Sequence, residues 1–126
     1  MSRSTNPRRV LVIEDELMVA MGLEMLLTDS GCAVVGPHGR FDRAMEAARN
    51  EAVDAALIDV NLRGSKIYPI ADVLAERGIP FAFLTGYEKE TLPERFAHEL
   101  LLSKPCGPQD LVAAVARMCE RSLVRT

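Results

Sequence analysis

The stretch Ala55-Ala56-Leu57-Ile58-Asp59 constrains the fold more than any other part of the chain. Its apolar residues run without interruption, so it does not alternate like a strand with one wet face. It reads as a strand covered on both sides, the pattern of a central strand in a parallel sheet. A carboxylate in the middle of such a strand would be costly to bury. Asp59 instead closes the run. Strand ends in an open α/β sheet face the crevice where such sheets hold ligands. Taken alone, this aspartate is more simply a turn cap; the other strand ends reverse that preference.

A sheet covered on both faces needs helices between its strands, and the rest of the chain supplies them in alternation. Arg9-Val10-Leu11-Val12-Ile13 is a first strand that stops at Glu14-Asp15-Glu16. A helix is expected over 17–29, with Met18, Met21, Gly22, Met25 and Leu26 as a core-facing stripe and Gly31 as its stop. Cys32 to Gly36 is a short second strand of edge character, closed by Gly36-Pro37. A second helix over 41–50 carries Phe41, Ala44, Met45 and Ala48 on one side. After the Asp59 strand, Arg63-Gly64-Ser65-Lys66 is a loop, and Pro69 opens a third helix ending near Arg77. Phe81 to Leu84 is a fourth strand that ends at Thr85-Gly86-Tyr87. Between 88 and 99, Leu92 and Phe96 are spaced as helical partners, but Pro93 and dense charge leave only a turn or two of helix. Leu100-Leu101-Leu102 is the fifth strand, followed by Ser103-Lys104-Pro105, and a last helix over 108–121 carries Leu111, Val112, Val115 and Met118. The fold class is therefore α/β, a doubly wound five-stranded parallel sheet.

A chain of 126 residues is expected to be one domain, spanning 9–123 after a disordered tail at 1–8, with no output domain attached. The net charge of −3, without a basic stripe or helix-turn-helix pattern, argues against a nucleic-acid partner. Arg3, Arg8 and Arg9 read as a solvated end. No apolar run approaches the roughly 18 residues of a membrane span, and no signal peptide is visible. Cys32, Cys106 and Cys119 lack metal-type spacing and read as small packing residues in a reducing, cytoplasmic setting.

The chemistry lies in what terminates the strands. The first ends in Glu14 and Asp15, the third in Asp59, the fourth in Thr85 and the fifth at Lys104. In a parallel sheet these ends share one rim. Carboxylates gathered there repel one another unless a cation sits among them. Carboxylate oxygens with waters suit octahedral Mg²⁺.

These residues carry a resemblance. Val10-Leu11-Val12-Ile13-Glu14-Asp15-Glu16, Leu57-Ile58-Asp59, Leu84-Thr85-Gly86 and Ser103-Lys104-Pro105 together resemble the receiver domain of two-component response regulators, over nearly the whole chain. Pro80-Phe81-Ala82-Phe83-Leu84-Thr85-Gly86-Tyr87 is similar to the signature of the FAT GUY subgroup, single-domain receivers of alphaproteobacteria, with Leu84 where that name has Ala. The resemblance implies a flavodoxin-like (βα)5 fold with strand order 2-1-3-4-5. It implies that Asp59 takes a phosphoryl group from a sensor histidine kinase or a histidine phosphotransfer protein. It implies Mg²⁺ held by Asp15, Asp59 and the backbone carbonyl of Asn61, with Glu14 acting through water. Thr85 and Lys104 would then hold phosphoryl oxygens, and the Lys104-Pro105 bond would be cis. Three positions depart from the family pattern: Leu101 replaces its aromatic switch residue, Arg63 a proline, and Cys106 a phenylalanine.

The leading expectation is a stand-alone phosphoacceptor that signals through protein–protein contact and catalyses only its own phosphorylation and dephosphorylation. The alternative is a phosphorylation-independent interaction module of the same fold. A hydrolase of the haloacid-dehalogenase type also uses a strand-end Asp, but it needs a second Asp two residues on as general acid, and Asn61 cannot transfer a proton. With Leu101 in the aromatic's place, the segment from Tyr87 to Glu99 is expected to carry the signal by changing its order, and Tyr87 to lengthen the life of the acyl phosphate.

Overall fold

The computed structural model describes residues 7–86, 92–104 and 107–125. Tyr87, Pro105, Cys106 and most of the N-terminal tail lie outside the described residues, and with them the expected cis bond and the start of the signalling segment.

The strands are β1 (Arg9–Ile13), β2 (Ala33–His38), β3 (Ala55–Asp59), the short β4 (Asn61–Leu62) and β5 (Ser65–Lys66), then β6 (Phe81–Thr85) and β7 (Leu100–Ser103). The helices are α1 (Leu17–Asp29), α2 (Phe41–Asn50), α3 (Tyr68–Glu76) and α4 (Pro108–Arg125). A single 3₁₀ turn, Glu94–Phe96, stands between β6 and β7 among the described residues. The main sheet is parallel in the order β2-β1-β3-β6-β7. Leaving aside the β4–β5 hairpin, this is the expected order 2-1-3-4-5. Every residue of β3 and of β6 is buried, as central strands require.

Each face of the sheet has its own core. On one side Leu11, Ile13, Ile58 and Phe83 pack with Ala44 and Ala48 of α2 and Ile70 and Leu74 of α3. On the other, Val10, Val12, Leu57 and Leu84 pack with Leu23 and Leu27 of α1 and Leu111, Val115 and Met118 of α4. Cys119 is buried in that second core and Cys32 is half-buried beside it, both as free thiols.

The helix α1 runs where expected, and Leu26 of the expected stripe packs against the core, but its methionines face outward. Met18, Met21 and Met25 are 81%, 54% and 65% exposed, and Leu17 before them is 71% exposed. The face toward the sheet is Ala20, Leu23 and Leu27, with Val19 and Leu26 packed beside it. The helix is apolar almost all round, so two faces satisfied helical spacing, and only packing chose between them.

Two smaller features were not expected. The strand β2 continues through Gly36-Pro37 to His38, with a bulge opposite Val12. Edge strands tolerate proline there. Gly36 has φ +102, and a Cβ on it would stand 2.8 Å from the Val12 carbonyl oxygen. The expected loop at 63–66 is a tight hairpin, in which Leu62 pairs with Ser65 across Arg63 and Gly64. Both turn residues have positive φ, 50° and 84°, as two-residue hairpins of the type I′ class demand.

Candidate functional site

Parallel register sets the strand ends level. Ile13 lies beside Ile58, Asp59 beside Leu84 and Thr85 beside Ser103. The residues at or just beyond these ends are Glu14, Asp15, Asp59, Thr85 and Lys104, the set the sequence nominated. Among the described residues the buried polar or charged ones are Glu14, Asp59 and Thr85, and all three belong to this rim. Buried polar groups are costly unless partnered, so their concentration at one place marks a site.

Backbone geometry holds each group. The Lys104 N–H donates to the Thr85 carbonyl at 2.8 Å, which ties the lysine to the end of β6. Its ammonium donates to Glu16 Oε1 at 2.7 Å, Asp59 Oδ2 at 3.2 Å, and both oxygens of Glu14 at 3.2 and 3.3 Å. Asp59 Oδ1 accepts from the Asn61 N–H at 3.2 Å, and Glu14 Oε2 from the Glu16 N–H at 3.0 Å. Asp15 Oδ2 accepts from the Arg63 N–H at 3.0 Å, while Arg63 Nε reaches the Gly39 carbonyl at 2.7 Å. The β4–β5 hairpin is thus pinned against the acidic end of β1. Glu16 and Arg63 were not singled out from the sequence as members of the site. Glu16 stood in view as the third acid after β1; nothing local marks Arg63, because its contribution is a backbone N–H.

Burial pushes the Glu14 carboxyl up to about 7; the neighbouring Asp59 charge adds to this, while the Glu16 N–H and Lys104 oppose it. Burial also raises Asp59, against the pull of the Asn61 N–H and Lys104. Burial alone would favour neutral Lys104, but Glu16, Asp59 and Glu14 together hold its ammonium above the ordinary lysine range.

Glu14, Asp15 and Asp59 each present a carboxylate oxygen, and the three lie within 4.8 Å of one another. These are hard oxygen donors, and burial of Glu14 and Asp59 makes their charged forms costly without a cation beside them. The donor set fits a divalent cation that prefers oxygen.

The doubly wound sheet thus gathers acids from the ends of β1 and β3, a hydroxyl from β6 and a lysine just after β7 at one rim. The chain matches the response regulator receiver domain over residues 10–116 and belongs to that family. It is 32% identical over 113 residues to the transcriptional regulatory protein PdtaR of Mycobacterium tuberculosis, covering 86% of this chain and 55% of that protein. It is 30% identical over 112 residues to the phyllosphere-induced regulator PhyR of Methylorubrum extorquens, covering 86% of this chain and 42% of that protein. The chain thus spans about half the length of these curated relatives. The solution structure of SdrG from Sphingomonas melonis Fr1 is similar with a TM-score of 0.78 and 35% identity, covering 92% of this chain and 98% of that one. Likeness to SdrG and PhyR is consistent with the FAT GUY subgroup. The chain is a receiver domain of two-component signalling.

Proposed function

We propose that this receiver is a phosphoacceptor switch, with Asp59 as the acceptor. The observation that carries the reading is the placement of Asp59, buried at the end of β3, 3.2 Å from Lys104 and clustered with Glu14 and Asp15. An Asp59 oxygen forms the bond to phosphorus while the bond from phosphorus to the donor histidine nitrogen breaks, its electron pair leaving with the imidazole. Lys104 donates to a phosphoryl oxygen, and the Thr85 hydroxyl, carried on the neighbouring strand end, takes another. Asp15, Asp59 and the Asn61 carbonyl would hold Mg²⁺, with Glu14 acting through water, and the metal would neutralise charge on the transferred group.

The donor is a phosphohistidine protein, either a sensor kinase or a phosphotransfer protein. The exposed apolar side of α1 supports this. Leu17 and Met18 open the helix directly after Glu16 and offer an apolar surface beside the pocket to a partner whose histidine reaches Asp59. The reaction is the protein's own phosphorylation and dephosphorylation, and the signal leaves by contact with a second protein. No helix among the described residues is long and apolar enough to cross a membrane.

Incubation with acetyl phosphate and Mg²⁺, read by intact mass, is expected to add one phosphoryl group to the protein and none to Asp59→Asn. An adduct of equal yield in Asp59→Asn moves the acceptor elsewhere. A wild-type protein that takes no phosphoryl group from acetyl phosphate or from any histidine kinase favours the phosphorylation-independent module.

A further inference from the structure

The shortest contact of Lys104 is made by a residue with no assigned role. Glu16 Oε1 lies 2.7 Å from Nζ, shorter than the 3.2 Å contacts to Glu14 and Asp59. Glu16 is the N-cap residue of α1, yet its side chain makes no capping bond to that helix. A polar side chain at this position ordinarily turns back to the free N–H groups of the first turn. Here it reaches across to a lysine 88 residues away in the chain.

A lysine ammonium has three N–H donors and no more. In this structure four carboxylate oxygens from three residues face it, so the oxygens of a phosphoryl group on Asp59 gain more than the one contact Asp59 itself gives up only if another carboxylate gives way. The Glu14 side chain is 0% exposed and would be left buried without its partner, whereas Asp59 gives up its carboxylate in becoming the acyl phosphate. The Glu16 side chain is 61% exposed and can return to water. The order of release is therefore set by burial.

We infer that Glu16 is a positioning residue that holds Lys104 in the unphosphorylated state and competes with the phosphoryl group for its ammonium. Phosphorylation exchanges the Glu16–Lys104 pair for a Lys104–phosphoryl pair and frees the Glu16 carboxylate at the start of α1. This deepens the phosphoacceptor reading and rests on it. The pair is open to water on its Glu16 side, 61% exposed against 11% for Lys104, so releasing it is expected to favour the phosphorylated state by about two- to five-fold.

The test is beryllofluoride affinity at saturating Mg²⁺, measured by fluorescence or NMR titration. Glu16→Gln and Glu16→Asp are both expected to bind beryllofluoride about two- to five-fold more tightly than the wild type. The aspartate keeps the charge but is one methylene too short for the contact, so agreement between the two assigns the effect to the contact and not to the field. In a Lys104→Ala background, Glu16→Gln is expected to change nothing. Unchanged or weaker binding in Glu16→Gln, or the same gain without Lys104, overturns the inference while leaving Asp59 as acceptor. A wild-type protein that binds no beryllofluoride overturns the phosphoacceptor reading itself, and the role of Glu16 with it.

Discussion

The Lys104 ammonium lies 3.2 and 3.3 Å from the two oxygens of Glu14, a carboxylate with no exposed surface. One lysine thus serves a buried acid that the sheet places beside a second acid, Asp59. Burial outweighs the lysine, so Glu14 holds a proton more tightly in the folded protein than an ordinary glutamate does.

The pH dependence of stability follows, with its sign. Burial pushes Glu14 from its ordinary 4.5 up to about 7 in the folded protein, so between these values the folded state binds more protons than the unfolded one. The stabilising contribution of protonated Glu14 is fully present below 4.5 and is lost as pH rises through about 7. Raised Asp59 acts in the same direction. Thermal unfolding in metal-free buffer is expected to show a midpoint that falls from about pH 5 to pH 8, and to fall less in Glu14→Gln. Saturating Mg²⁺ is expected to flatten the curve. Equal slopes for wild type and Glu14→Gln would assign the titration to another group.

Removing Asp15 is expected to weaken Mg²⁺ by at least ~10-fold, since even outer partners of metal ligands are worth that much. Asp15 is half-buried and held by the Arg63 N–H, so its oxygens are fixed at the rim and its loss should leave the core intact. Titration of Asp15→Asn with Mg²⁺, alongside a thermal melt, checks both statements. Parent-like Mg²⁺ affinity would place the metal elsewhere.

Much of this was legible in the chain, because strand ends in a parallel sheet are set by where apolar runs stop. Ala55 to Asp59 and Phe81 to Thr85 each carry a single polar terminus, so Asp59 and Thr85 could be placed at one rim without coordinates. The orientation of α1 was not legible, because Met18, Met21 and Met25 repeat with the same period as Ala20, Leu23 and Leu27. The β4–β5 hairpin was missed because Arg63 occupies a left-handed position where glycine or asparagine would have announced the turn. Glu16 was visible as an acid, but its reach to Lys104 depends on how β1 and β7 are spaced by the strands between them.

The exposed methionines yield a prediction that separates the donor from the chemistry. Methionine surfaces adapt to partner helices and lose little by being wet in the free state. Met18→Asp with Met21→Asp is expected to slow phosphorylation by the most active histidine kinase in a panel by about ten-fold or more, the scale of an interface anchor. Labelling by acetyl phosphate, which needs no docking face, is expected to stay within about two-fold of wild type. A parallel loss with both donors would show that the substitutions disturb the pocket; no loss with any kinase would show that the donor docks elsewhere.

The signal is expected to leave through the chain after Thr85. Leu101 packs half-buried against the core where the family has its aromatic switch, so another element must respond. Described residues 92–99 hold one deep anchor, Phe96, which meets Tyr68, Phe81 and Phe83 with ring centroids 5.5 to 5.9 Å apart. Leu92 packs half-buried against the same core, and the segment is further tied by short backbone bonds from Phe96 to Pro93, Ala97 to Glu94 and Glu99 to Phe96, and by an Arg95–Asp72 ion pair. That pair is about half exposed on both sides and adds little. A segment with one deep anchor and one half-buried contact opens at small cost. Displacement of Thr85 toward a phosphoryl oxygen pulls on the same backbone, since the Thr85 carbonyl also binds the Lys104 N–H at the far end of β7. Amide exchange over 92–99 is therefore expected to change on adding beryllofluoride and Mg²⁺, with β1 and β3 unaltered. Phe96→Ala is expected to raise exchange in the segment in both states and to shrink the difference between them. Identical protection with and without beryllofluoride, in a protein shown to bind it, would mean that the signal leaves along α1 or α4 instead.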